Sequence, residues 1–168
     1  MEVLFENTLV RNKAAVKEFY GYITFRQPVM LFFIVLFLVS FALNLVCLIW
    51  DGTYDLTTLI VVPLFFAYIF WLYARRVKTM LRRDRELLGG EVTTRTTVTD
   101  THIQSAVDNG STNAVHLTDI KKVVQTKNLI LVCTKAKLVF ILHKDTFKGR
   151  NKDEFLAFMK SKGIKVAG

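Results

Sequence analysis

The chain is poor in the residues that build disulfide frameworks, metal centres and catalytic pairs. Its 168 residues hold two cysteines and three histidines. Cys47 lies in an apolar run and Cys133 in a strand-like segment, neither in a CxxC pair nor near a histidine, which argues against a disulfide framework or zinc site. His102, His116 and His143 are scattered without ligand spacing and read as ordinary sheet or surface histidines. Gly89-Gly90 lacks the lysine and serine of a phosphate-cradling loop, so it reads as a hinge. Asp100, Asp108, Asp119 and Asp145 fall at strand ends or turns, where Asp is common. No acid pair and no nucleophile beside a base stands out. The expectation is a non-enzymatic protein with no cofactor and no metal.

Charge is absent from two stretches, residues 27–50 and 56–74. The first holds "PVMLFFIVLFLVSFALNLVCLIW", residues 28–50, with sixteen Leu, Ile, Phe or Val. Each favours membrane insertion by roughly 0.3–0.6 kcal/mol, which outweighs Ser40 and Asn44. At about 1.5 Å per residue this run crosses a hydrocarbon core of ~30 Å. It starts too late and is too long for a cleaved signal peptide. The second run, residues 56–74, crosses with little tilt, and Pro63 inside it should kink the helix. Only "DGTYD", residues 51–55, separates the two, which predicts a tight antiparallel hairpin, and Asn44 reads equally as a hydrogen bond across it or as a snorkelling or self-satisfied amide.

Basic residues orient the hairpin. The short loop has two Asp and no Lys or Arg, four basic residues precede the first run, and six follow the second by Arg85. Both termini are therefore expected on the cytoplasmic side of an inner or plasma membrane. Trp50 and Tyr54 at one level, with Tyr22, Trp71 and Tyr73 at the other, fit interfacial belts.

The formal net charge is +9, and nineteen of the 23 Lys and Arg lie at or after Arg75. In "WLYARRVKTMLRRDRELL" the cluster Arg75, Arg76, Lys78, Arg82, Arg83 and Arg85 contains no interleaved aromatic residue, which argues against nucleic acid. At 100° per residue these six gather on one side of a helix, with Tyr73, Val77, Met80, Leu81, Leu87 and Leu88 opposite. Asp84 falls within the apolar face and asks for a protein partner such as Lys13 or Lys17. The basic side can contact lipid headgroups, each residue being worth about 1 kcal/mol at an anionic leaflet.

Ahead of the hairpin, Asn7 or Thr8 can cap a helix whose Leu9, Val16, Tyr20 and Ile23 share a face. Its docking on the membrane or on the soluble domain stays open, as does a strand from "EVLF". From Glu91 the texture turns to strands. "EVTTRTTVT" puts Val92, Thr94, Thr96 and Val98 on one face; "HIQSAVD" does the same for Ile103, Ser105 and Val107. Asn109-Gly110 predicts a tight turn into "TNAVHL". "TDIKKVVQT" reads as a connection between two sheets, and "NLILVCT" with "KLVFILH" as an apolar hairpin that supplies most of the core. A last helix opens at Asn151, with Glu154 in capping-box position, and stops at Gly163. Phe155, Leu156, Phe158 and Met159 form its apolar stripe, with Lys152, Lys160 and Lys162 outward, and it is expected to close the mouth of a curved sheet.

The stretch "LVFILHKDTFKGRNKDEFLAFMKSKGI", residues 138–164, resembles the closing strand, K-x-x-F turn and terminal helix of the bacterial YcxB-like family. The resemblance implies two membrane helices ahead of a small pleckstrin-homology-like (PH-like) domain, and it leaves function open.

The expected fold is thus α+β: an N-terminal strand and helix (1–27), a transmembrane hairpin (28–74, as 28–50 and 56–74), a basic amphipathic helix (75–90) and a PH-like barrel or curved antiparallel sheet closed by a helix (91–168). The expected role is a membrane-anchored regulatory module that binds a protein partner. A second reading is an anionic-lipid module, with Lys121, Lys122, Lys144, Lys148 and Arg150 joining the basic helix at the headgroups. A membrane-immunity or envelope-stress role is a special case. Membrane lipids, an unidentified protein and a homo-oligomer through the apolar hairpin are the expected contacts, and nucleic acid is not.

Overall fold

A computed structural model describes residues 2–26, 28–52, 55–108 and 110–167. The chain divides into two compact units, Phe19–Met80 and the pair of segments Met1–Glu18 with Leu81–Gly168. Helices α1 (Lys13–Phe25) and α3 (Leu56–Leu88) run through the division, and α2 (Pro28–Asp51) lies wholly in the first unit.

The first unit is helical because its sequence offers long uncharged runs and no side-chain pattern of period two. Asp55 caps α3, its carboxylate accepting from the Thr57 and Thr58 N–H groups at 3.0 and 3.2 Å. Asn44 donates to the Asp55 carbonyl at 3.2 Å, the first of its two readings. Phe37 packs on Phe65 with centroids 4.4 Å apart, and Phe25 meets Phe70 and Tyr73 at 5.7 and 5.6 Å. Pro63 sits inside α3, which continues as helix past Ala74 without a break. Both α2 and α3 are long and apolar enough to cross a membrane. None of the described side chains of α2 is buried, and Ile49 and Trp50 are each 85% exposed. Tyr54 lies outside the described residues.

The second unit carries two sheets. The first contains β1 (Phe5–Arg11), β2 (Val92–Val98), β3 (His102–Val107), β4 (Thr112–His116) and β8 (Phe147–Lys148), in the order β4-β3-β2-β1-β8. The second contains β5 (Ile120–Gln125), β6 (Leu129–Thr134), β7 (Val139–His143) and β9 (Lys165–Ala167), in the order β7-β6-β5-β9. A 3-10 turn, Leu117–Asp119, leads from one to the other, as "TDIKKVVQT" suggested, although most of that stretch is strand β5.

Three expectations need correction. Asn7 and Thr8 do not cap a helix: they lie in β1, and Asn12 caps α1 by accepting from the Ala15 N–H at 2.9 Å. Phe5, Asn7 and Leu9 are buried on alternate positions, and β2 pairs with β1 along its whole length, so period two prevails over the helical spacing. The sheet-bearing unit therefore includes the N-terminal strand as well as the chain after Leu81. Second, neither sheet closes on itself among the described residues. Third, the second sheet is not wholly antiparallel, because β9 runs parallel to β5 after the chain returns from α4 (Lys152–Ser161).

That return is a Schellman stop. Gly163, at φ +75°, donates to the Lys160 carbonyl at 2.9 Å, and Ile164 donates to Met159 at 3.1 Å. At the other end Asn151 Oδ1 accepts from the Asp153 and Glu154 N–H groups, both at 2.9 Å. Phe155, Leu156 and Met159 of α4 are buried with Phe5, Val98, Ile103, Ile130, Val132, Phe140 and Leu142 in one core drawn from both sheets. Phe155 meets Phe5 edge-on at 5.5 Å and Phe147 at 5.3 Å. The 139–143 strand pairs with β6 as expected, while Asn109 of the predicted turn lies outside the described residues.

Candidate functional site

The inner face of the first sheet is layered by its register. Phe5, Val98, Ile103 and Val115 form an apolar row; the next row, two residues along each strand, is Asn7, Thr96, Ser105 and Asn113; the third is Leu9, Thr94 and Val107. The first row enters the core, whereas Ser105 and Asn113 of the second and Leu9, Thr94 and Val107 of the third line a groove of about 150 Å³, lined also by Leu138 and by Val139, Phe140 and Ile141 of β7. Arg11 lines one end of the groove. Thr94 is only 7% exposed and its hydroxyl has no hydrogen-bond partner. A buried hydroxyl without a partner is uncommon, because the lost hydration costs about 1–3 kcal/mol.

Asn7 bridges the two sheets. It is 1% exposed, donates Nδ2–H to the His143 carbonyl at 2.7 Å and accepts from the His143 N–H at 3.0 Å through Oδ1. One side chain thus ties strand β1 of the first sheet to the end of β7 in the second.

Arg11 also reaches the basic helix. Its Nη1 donates to Asp84 Oδ1 at 3.2 Å, and Asp84 is buried with Oδ2 unpartnered. The ion pair of Asp84 is thus with Arg11 on β1, and Lys13 lines the same depression, with Leu81, Arg85, Gly90 and Glu91. The charged face of α3 is as its helical angles predict. Arg75, Arg76, Lys78, Arg82, Arg83 and Arg85 are exposed, whereas Val77 and Asp84 are buried opposite. Arg75 lies over the Trp71 ring at 5.2 Å, and Arg82 Nε donates to Glu86 Oε1 at 2.6 Å. The side chains of Leu87 and Leu88 lie outside the description.

The other basic residues singled out from sequence are not gathered on one sheet. Lys121 and Lys122 lie on β5, in the second sheet, and Lys148 on β8, at the edge of the first. Lys144 Nζ donates to the Thr126 carbonyl at 2.5 Å, Lys148 pairs with Glu6 at 3.7 Å, and Arg150 lies over the Phe5 ring at 5.5 Å.

Two groupings escaped the sequence. His102 and His116 face each other across β3 and β4 with ring centroids 4.1 Å apart, a pairing visible only once the register is known. Glu18 of α1 grips the turn between β5 and β6. Its Oε1 accepts from the Thr126 hydroxyl and the Asn128 and Leu129 N–H groups at 2.5, 2.6 and 3.3 Å, and Oε2 from the Asn128 amide at 2.8 Å. Burial alone would raise its pKa, but the hydrogen bonds from Thr126, Asn128 and Leu129 together hold it below the ordinary value. Burial pushes the Cys133 thiol up, against the pull of Lys122 and Lys121. Among the described residues no three or more His, Cys, Asp or Glu form a group able to hold a metal ion.

The family model for YcxB-like protein matches residues 98–159. The match runs from the end of β2 into α4, overlapping the stretch that carries the resemblance in sequence, and leaves β1 and the helical hairpin outside it. No curated protein and no solved structure matches the chain.

Proposed function

We propose that the chain is a membrane-anchored, non-enzymatic binding module, with α2 and the first part of α3 crossing the bilayer and a PH-like sheet unit binding a protein partner at the inner membrane face. The groove carries this reading: its lining presents buried Thr94, half-buried Ser105 and exposed Asn113 on the sheet face that also carries core residues, and Thr94 holds a polar group where apolar side chains are usual. Hydroxyls, an amide and apolar chains suit recognition through hydrogen bonds and shape, and the one guanidinium is already held by Asp84. The exposed apolar surface of α2 and the positive charge that follows α3's uncharged run support the anchor and an orientation with both termini in the cytoplasm. Two sheets followed by one amphipathic helix support the PH-like assignment.

The exposed basic face of α3 favours a second reading, in which Arg75, Arg76, Lys78, Arg82, Arg83 and Arg85 rest on anionic headgroups. A photo-cross-linking residue placed at Asn113, on the groove, and separately at Arg83, on the basic face, tests both in intact cells. Protein adducts from Asn113 are expected. Lipid adducts from Arg83 with no protein adduct from Asn113 would replace the protein-partner reading with the lipid one.

A further inference from the structure

The antiparallel ladder assigns the main-chain groups of β7 to two sides. Thr134 donates to the Leu138 carbonyl and Lys144 donates to that of Asn128, both at 2.9 Å, so the even-numbered residues of β7 face β6. Alternation then turns the N–H and C=O of Val139, Ile141 and His143 away from β6. His143 confirms the parity, because both of its outward groups are taken by the Asn7 amide. Val139 and Ile141 present the same pair of groups into the groove, and among the described residues nothing pairs with them.

From this edge we infer that the groove takes an extended, acidic polypeptide segment, which adds a strand to β7 through Ile141 and Val139. The inference rests on the protein-partner reading and specifies the partner's conformation and charge. Two donor–acceptor sets about 7 Å apart along a strand match the repeat of another extended chain. The Asn7 side chain already occupies the next set as a neighbouring strand would. Alternate side chains of the segment enter over Thr94, whose unpartnered hydroxyl then gains a bond. The charge follows from the unit itself: its segments carry 19 Lys and Arg against 12 Asp and Glu, a net +7. A second copy of the chain brings the same positive charge and a whole folded edge, whereas a groove of about 150 Å³ suits the side groups of one strand.

The full chain, held in nanodiscs of neutral phosphatidylcholine, is screened against nine-residue peptides rich in Glu and Asp and against their Lys-rich counterparts. Acidic peptides are expected to bind at least tenfold more tightly. N-methylation of the alternate amides that meet β7 should abolish binding, while methylation in the other parity leaves it. Ile141→Pro removes an N–H that does not serve the β6 ladder, a change an edge position tolerates, and should also abolish binding. No acidic binder, or binding indifferent to N-methylation parity, overturns strand addition whether or not the proline variant folds. If protein adducts from Asn113 persist in that case, the binding module stands without the strand; if they too are missing, both fall.

Discussion

Helix α2 and strand β6 are comparably apolar and are treated in opposite ways. Leu129, Ile130, Leu131 and Val132 of β6 are at most 1% exposed, whereas Phe32 and Val29 of α2 are more than 60% exposed. Burying one such side chain contributes about 1.5–3 kcal/mol, so the sheet unit draws its stability from within its own chain. Helix α2 has no such burial among its described side chains, and with no charge between residues 27 and 50 it is long and apolar enough to cross a membrane.

The largest test of the contrast lies in the core. Phe155 is fully buried between Phe5 and Phe147, so Phe155→Ala should destabilise the sheet unit by about 3–5 kcal/mol. Loss of cooperative unfolding in detergent-solubilised chain, followed by proteolysis of the sheet unit, is the expected readout. An unchanged midpoint would mean that the α4 stripe is not part of the core. The companion change is Leu38→Arg, at the middle of α2, where the side chain is 53% exposed. In water a substitution at so open a site is nearly neutral; at a bilayer centre it costs about 2.5–3.5 kcal/mol. Reduced insertion in a translocation assay is expected, with the sheet unit's unfolding unchanged, and normal insertion would remove the first span.

The middle of the scale belongs to Asn7. Asn7→Ala removes both bonds to His143 and strips the end of β7 of its substitute strand, with an expected loss of about 1–3 kcal/mol. Hydrogen exchange at His143 should rise more than exchange within β6, and equal protection would show that the amide bridge is not needed to hold β7.

Sequence made some of these elements legible and hid others for a physical reason. Local signals sufficed wherever one segment decides its own state: the two uncharged runs, the Asn151 cap, the Gly163 stop and the alternation of Val92, Thr94, Thr96 and Val98 are all present in the structure. The strand at Phe5–Arg11 is hidden from a local reading because its partner β2 lies beyond the whole hairpin, and only that pairing reveals why Asn7 is buried. The groove suffered the same fate. Alternation assigns Thr94 and Ser105 each to one face of its strand, but their meeting with Val139 and Ile141 depends on two sheets whose relation no local period encodes.

The smallest effect, and the one that separates electrostatics from packing, is carried by Glu18. Its carboxylate joins α1 to the turn at Thr126–Leu129 through four hydrogen bonds, all of which favour the ionised form. The folded pKa lies below the ordinary 4.5, so the contribution is fully present above that value and is lost as pH falls through the lower, folded one. Glu18→Gln keeps the shape and removes the charge, and should therefore lower the unfolding midpoint at pH 7. The gap between wild type and variant should narrow below pH 4.5, because protonation then takes from the wild type what the substitution has already removed. Reading the difference cancels the other carboxylates, which titrate alike in both chains. A gap that stays constant down to the acid limit would show that the side chain acts through packing alone, as the apolar residues of β6 do, and would move α1's attachment from the charged to the apolar side of the comparison.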